Sequence, residues 1–337
     1  MLAASACSNA AQHAAKVCGP FGDPPADITE NEQPLCVNGV RLGPWKDSNG
    51  TDRYACMYEP HAQANEGALP LVVYLHPSLF GTETLHLTNL LHYQESMSLE
   101  ANGKPGFIVL EPSGRKTTHF YPFPDQKGVG WDNWYRQLNP AGDVTIDDTK
   151  YKQNVDAAAI DHFIAEVEST GRVDPKRVYV MGWSNGSAMA YLYALNRPGI
   201  AAIAVYSAPD PFGAFDDPCP QQPVVNPPRD DAEIQIFNPG LSNLHIHNNC
   251  DVTGLCPNCE RLTSQLRAAG VSVSDVIVNS LLVEVSGCKA TCGTNPLGDP
   301  DATKNPLGWS LGLANHSRWP LTWTRRMLEF LRDHPLK

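Results

Sequence analysis

The sequence predicts an α/β fold, with a mostly parallel central sheet flanked by helices in a single domain. Three observations carry that reading. Short, largely apolar, β-branched runs recur at strand length, as suits strands buried on both faces. Stretches of helical period lie between them. One strand, Arg177–Met181, runs through a glycine-flanked turn directly into a helix starting at Ser187.

Residues 1–50 are rich in Pro, Gly, Asn and Asp, hold three of the cysteines and show little periodicity. They read as a loop-rich, disulfide-bearing segment packed on a main domain of residues 51–337. Arg53–Tyr58 alternates like an edge strand. Leu69–Leu75, Gly106–Leu110, Arg177–Met181, Ala201–Tyr206 and Leu244–His247 are strand-length apolar runs. Val155, Ala159, Phe163 and Val167 recur every four residues, with Ile160 and Ile164 beside them. That is one apolar stripe on a helix ending at Gly171. Ser187–Asn196 is a small-residue helix stopped by Pro198-Gly199, and Cys256–Ala269 and Trp319–Asp333 read as amphipathic helices. Pro209–Pro239 is proline-rich and reads as a loop or lid insertion. There is no internal repeat and no interdomain linker.

The 337 residues carry 36 acidic and 25 basic side chains, a formal charge of −11. A nucleic-acid binder needs a basic patch, so this balance argues against a nucleic-acid partner. No apolar run approaches the ~20 residues of a membrane span. Ten cysteines occur in a chain large enough to fold without them. Their even number points to disulfides and an oxidising compartment, so a secreted protein, extracellular or periplasmic, is expected. The alternative is zinc on Cys256, Cys259, Cys288 and Cys292. The other six cysteines would then lack a role, so disulfides are preferred and no metal is expected; the pairing stays open. Met1–Cys7 reads either as the trimmed end of a signal peptide or as a mature N-terminus. Sequons stand at Asn49, Asn185 and Asn315. The last two fall in the motifs below, where a glycan would obstruct chemistry, so an unglycosylated bacterial product is expected.

The chemistry sits in Gly182-Trp183-Ser184-Asn185-Gly186. This is G-x-S-x-G in the context it requires: strand, sharp turn, helix. Side chains at 182 and 186 would collide with neighbouring chain, and the helix N-terminus favours negative charge beside Ser184. A serine hydroxyl needs a base. On the α/β-hydrolase fold, which this turn marks, the partners follow in the order Ser, Asp/Glu, His. His316 precedes the C-terminal helix in a polar turn, whereas His334 lies in the tail. Asp251 follows the strand Leu244–His247; Asp210, Asp299 and Asp301 are alternatives. His245 and His247 read as strand residues with satisfied rings. An oxyanion hole needs two backbone donors. Asn185 supplies one; the other comes from the loop His76-Pro77-Ser78-Leu79, where Pro77 has no N–H, leaving Ser78 or Leu79, with Ser78 preferred.

These segments resemble a family. Val173–Met189 is similar to the elbow region of the secreted polyhydroxybutyrate depolymerase and feruloyl esterase-like group. Pro70–His76 resembles the strand before that family's oxyanion loop, Trp131-Asp-Asn-Trp134 its tryptophan-rich segment, Leu244–Asp251 its acid-bearing strand end, and His316-Ser-Arg-Trp-Pro320 its His-x-x-Trp-Pro turn. The resemblance spans about residues 53–334. It implies a Ser184, Asp251, His316 triad acting on polyester, feruloyl or acetyl-xylan esters through an acyl-enzyme, without a cofactor. Where the family usually has His-Gly, this chain has His76-Pro77, and no separate polymer-binding domain follows. A monomer acting on a polymeric or small ester is expected. A non-catalytic binding protein of the same fold would normally lack a triad member. Trp131, Trp134, Trp183 and Trp319 lie near the motifs and read either as core packing or as walls of an aromatic cleft, with Phe80, Tyr121 and Phe123 able to add an apolar adsorption face.

Overall fold

The computed structural model describes residue 31 and residues 33–47, 50–61, 67–100, 103–117, 128–131, 144–146, 149–151, 155–209, 236–251, 255–279, 281–287 and 306–337. Nine strands form one sheet: β1 (Val40–Lys46), β2 (Asp52–Tyr58), β3 (Leu69–Leu75), β4 (Ile108–Pro112), β5 (Val173–Trp183), β6 (Ala202–Tyr206), β7 (Ser242–Asn248), β8 (Ser272–Val278) and β9 (Glu284–Val285). Their spatial order is β1-β2-β4-β3-β5-β6-β7-β8-β9. The pairs from β4 through β3, β5, β6 and β7 to β8 are all parallel, and antiparallel pairing is confined to the two edges.

Parallel strands are joined by crossovers, which lay helices on both faces. The alternation of side chains along each strand sorts them accordingly. Leu71, Val73 and Leu75 of β3, Val178 and Val180 of β5, and Ile203 and Val205 of β6 face one apolar cluster. Its cover is α1 (Val155–Glu168) and α2 (Asn185–Ala194). Val72, Tyr74, Tyr179, Met181, Ala204 and Tyr206 face the other cluster, with Met327, Leu328 and Leu331 of the last helix. Every residue of α2 is buried, which its run of small side chains permits. Among the described residues the other long helices are α3 (Leu255–Ala268), α4 (Pro306–His316) and α5 (Leu321–Arg332), and a 3-10 turn (Thr82–Leu87) and a five-residue helix (Leu90–Gln94) lie between β3 and β4.

The apolar runs expected as strands all lie in the sheet, but three expectations change. Arg53–Tyr58 is not an edge: β1 covers it, so the segment expected to be loop-rich contributes a sheet strand. Pro44 interrupts β1, and its pairing with β2 shifts between Leu42 and Trp45. His316 does not sit in a turn; it is the last residue of α4. Strand β8, which β9 flanks at the sheet's edge, lies outside the runs read as strands from the sequence. Cys36 is disulfide-bonded to Cys56, and Cys250 is also disulfide-bonded, to a partner outside the described side chains. The side chains of Cys256 and Cys259, and Cys288 and Cys292 altogether, lie outside the described residues, as do Asn49, Tyr121, Phe123, Trp134, Asp210, Asp299 and Asp301.

The N-terminal segment also braces the body. Arg53 donates to Asp156 on α1 at 2.6 Å, to Asp47 at 3.3 Å and to the Ser113 carbonyl at 3.4 Å, with all three ionised side chains fully buried. Asn31 accepts from the Lys116 N–H at 3.0 Å. This network reaches the backbone just before Gly114, beside the site.

The tightest approach in the fold lies where α2 crosses the end of β3. A methyl group at Gly186 would fall inside contact distance of the Leu75 carbonyl and 2.5 Å from that of His76. At Gly182 it would lie 2.6 Å from the Gly186 carbonyl and 2.8 Å from Ser187 Cα. These obstacles are backbone, which cannot step aside. Gly186→Ala is therefore expected to destabilise the protein by about 3 kcal/mol, the upper range for overpacking. Gly199→Ala, with no atom within 4 Å of the added methyl, is expected to be neutral within ~0.5 kcal/mol. Equal melting temperatures for the two variants would contradict this reading of the elbow.

Candidate active site

The parallel register brings four strand ends to one edge. Leu75 is level with Gly182, Trp183 with Tyr206, and Tyr206 with Ile246. The residues that follow each strand, His76, Ser184, Ser207 and Asn249–Asp251, therefore meet above the centre of the sheet. Open α/β sheets build their sites at this edge, where the strand order reverses.

Ser184 occupies the turn between β5 and α2 with φ 54° and ψ −121°. A side chain other than glycine rarely adopts positive φ, and such strain costs about 1–3 kcal/mol. Three hydrogen bonds hold it there. Ser184 N–H donates to Tyr206 O at 3.0 Å, and Ser184 O accepts from the N–H groups of Ser187 and Ala188 at 2.9 and 3.1 Å. The Ser187 hydroxyl adds a 2.8 Å bond to the same Tyr206 carbonyl.

The turn aims Ser184 Oγ at His316 Nε2, 2.6 Å away. The opposite ring nitrogen, Nδ1, lies 2.6 Å from Asp251 Oδ1. Asp251, buried to 4% exposure, accepts a second bond on Oδ2 from the Ser207 hydroxyl at 2.7 Å. A carboxylate on Nδ1 fixes the tautomer with its proton there, leaving the Nε2 lone pair facing the serine.

The histidine is held from its backbone as well. Trp183 Nε1–H donates to the His316 carbonyl at 2.8 Å. Tyr206 Oη–H donates to the Asn315 carbonyl at 2.8 Å, and the Asn315 amide donates to the Cys250 carbonyl at 2.9 Å. The end of α4 is thus tied both to the strand end before Ser184 and to the loop before Asp251. The side-chain amides at two sequons, Asn185 and Asn315, are committed to carbonyls of Trp131 and Cys250.

Of the two readings of the tryptophans near the motifs, core packing fits the three whose side chains are described. Trp131, Trp183 and Trp319 are 0%, 3% and 3% exposed, so they present no open aromatic wall. Each indole N–H is spent inside the protein: Trp131 on His76 O, Trp183 on His316 O, Trp319 on Thr324 Oγ1, all at 2.8 Å. Trp319 also meets Tyr74, Trp183 and Tyr206 edge-on. They pack and orient the site from behind. Phe80 and Leu79 are exposed, at 52% and 49%, on the loop after β3. In that loop the Leu79 N–H donates to Val129 O at 2.7 Å, while Ser78 is buried. His245 and His247 are core residues, facing Tyr191 Oη at 3.1 Å and Asp275 at 3.4 Å. Burial pushes the His245 imidazole down to about 3.

Sequence reasoning missed Ser207, Tyr206 and Asn315 as supports. Ser207 has φ 54°, a second positive-φ residue beside Ser184, but nothing in Ser207-Ala-Pro marks it in advance. Among the described residues no group of three His, Cys, Asp or Glu side chains is placed to hold a metal ion.

No protein-family model and no curated protein matches the sequence. Solved structures do match in shape. An S-formylglutathione hydrolase from Agrobacterium tumefaciens superposes with TM-score 0.53 at 12% identity, over 91% of this chain and 99% of that one. A thermostable esterase superposes with TM-score 0.52 at 15% identity, over 89% of this chain; the alignment spans 64% of the esterase's length. The chain has the α/β-hydrolase fold.

Proposed function

We propose that this protein is a secreted serine carboxylic-ester hydrolase that works through Ser184, His316 and Asp251. The observation that carries the proposal is the unbroken Ser184–His316–Asp251 relay, 2.6 Å at both links. Two solved structures of similar shape, an esterase and an S-formylglutathione hydrolase, are hydrolases by name. The disulfide between Cys36 and Cys56 suits an oxidising compartment. No described helix is long and apolar enough to cross a membrane.

In this reading His316 Nε2 takes the Ser184 proton as Oγ attacks the ester carbonyl. The N–H groups of Asn185 and Ser78 receive the oxyanion. Ser78 is favoured over Leu79 because the Leu79 N–H is already bonded to Val129. The imidazolium, stabilised by Asp251, returns its proton to the departing alcohol. Water then attacks the acyl-enzyme with His316 again as base, and Ser184 is restored. The substrate is a polyester of the polyhydroxyalkanoate type. The resemblance of the motif segments supports this, as do exposed Leu79 and Phe80 on the Ser78 loop, which suit an apolar solid surface.

Ser184→Ala is expected to lower p-nitrophenyl butyrate hydrolysis by at least ~10³-fold while the far-ultraviolet circular dichroism is unchanged. Undiminished turnover would point to a non-catalytic role for this serine. Wild type, and not Ser184→Ala, is expected to clear an amorphous polyhydroxybutyrate suspension. Hydrolysis of the small ester without clearing would transfer the assignment to feruloyl or acetyl carbohydrate esters. Trp183→Phe keeps an aromatic ring of smaller size and deletes the bond to the His316 carbonyl. A kcat reduced roughly 10-fold with KM nearly constant is expected, since small misplacements of a base are costly. An unaltered kcat would show that the indole bond does not orient His316.

A further inference from the structure

The imidazole of His76 is completely buried and takes no part in the relay. Its two nitrogens are nevertheless both engaged. Gly114 N–H donates to Nε2 at 2.8 Å, so Nε2 carries the lone pair. A neutral ring then holds its one proton on Nδ1, which lies 2.8 Å from the Pro77 carbonyl oxygen and donates to it. Burial lowers the pKa of His76 to about 4, so the ring is neutral at neutral pH.

The Pro77 carbonyl and the Ser78 N–H belong to one peptide plane. In a trans peptide they point in opposite directions. Whatever fixes the carbonyl fixes the N–H. Pro77 removes a donor from the loop, so the direction of the Ser78 N–H has to be set from its carbonyl side.

The clamp is itself supported. The His76 ring lies against the Trp131 indole, with centroids 4.9 Å apart, and Trp131 Nε1–H donates to the His76 carbonyl at 2.8 Å. The backbone of Trp131 is gripped by the Asn185 side chain: Trp131 N–H donates to Oδ1 at 2.7 Å, and Nδ2 donates to Trp131 O at 3.2 Å. The ring also lies close against Gly114: a methyl there would meet the Gly130 carbonyl and come 3.0 Å from His76 Cε1. A continuous belt therefore runs from Asn185, beside the nucleophile, through Trp131 and His76 to the Pro77–Ser78 peptide.

The geometry points to His76 as a positioning residue: its Nδ1–H holds the Pro77 carbonyl and thereby aims the Ser78 N–H at the developing oxyanion, with Trp131 and Asn185 holding His76 in register. This rests on the serine-hydrolase reading above. It accounts for a His-Pro pair at the oxyanion loop, because the imidazole supplies the rigidity that a loop without a Pro77 N–H still requires.

The test compares His76→Asn, His76→Gln, Trp131→Phe and Ser184→Ala on p-nitrophenyl butyrate, with melting temperatures for each. The Asn amide reaches the place of Nδ1 and keeps the Pro77 bond; the Gln amide reaches the place of Nε2 and keeps the Gly114 bond. Both lose the ring's packing on Trp131. His76→Asn is expected to retain kcat within a few-fold. His76→Gln is expected to lose about 10- to 100-fold in kcat at nearly constant KM, approaching the loss of an oxyanion donor. Trp131→Phe, which deletes the indole N–H and leaves a smaller ring beside His76, is expected to lose about 10-fold in kcat and carries the test if a His76 variant fails to fold. Equal kcat for His76→Asn and His76→Gln, or wild-type kcat in Trp131→Phe, would overturn the positioning role. Activity surviving in Ser184→Ala would instead overturn the underlying hydrolase reading.

Discussion

Everything at the site depends on one close approach: the N-terminus of α2 lies against the backbone at the end of β3. Gly186 has the Leu75 and His76 carbonyls where a side chain would be, and Gly182 has the Gly186 carbonyl. That contact sets Ser184 at positive φ and lifts its Oγ clear of the sheet. The strain, of order 1–3 kcal/mol, is offset by the backbone bonds to Tyr206, Ser187 and Ala188 and by the complete burial of α2. The same contact brings Asn185 within reach of Trp131, and Trp131 within reach of His76. The Ser184 turn and the loop after β3 are therefore parts of one packed unit.

A second unit holds His316 and Asp251. Asp251 follows β7 and His316 ends α4, far apart in sequence. Ser207, Tyr206, Asn315 and Trp183 tie them together by hydrogen bonds. Most of these supports are buried, where bonded polar groups hold their geometry and unbonded ones would be costly. The aromatic side chains around the site act through their polar atoms as much as through their area. That explains why the sequence is rich in tryptophan near the motifs without those rings forming a substrate wall.

The features written locally were legible in the sequence. Gly182 and Gly186 are demanded by sterics between neighbouring segments, so strand, turn and helix could be read together with the serine. The parallel core strands announced themselves as apolar runs because both faces are covered. Chain order and strand-end position narrowed the acid and the base, and the resemblance narrowed them further. Other features arise only on folding. Pro44 breaks the pattern of β1, and Gly308 and Gly312 dilute the helical pattern that ends at His316. The burial of Trp131, Trp183 and Trp319, and the bond from Ser207 to Asp251, depend on segments distant in the chain. No local periodicity encodes them. The His76-Pro77 pair was visible as a departure, while the clamp that gives it meaning needed the position of Gly114.

The central claim is that Ser184 is a nucleophile activated by His316. Labelling with a fluorophosphonate, followed by peptide mapping by mass spectrometry, tests it without assuming a substrate. The account predicts a single stoichiometric adduct on Ser184, lost in wild-type protein unfolded before labelling and strongly slowed in His316→Ala. An adduct on another residue, or no reaction by the folded protein, would contradict it.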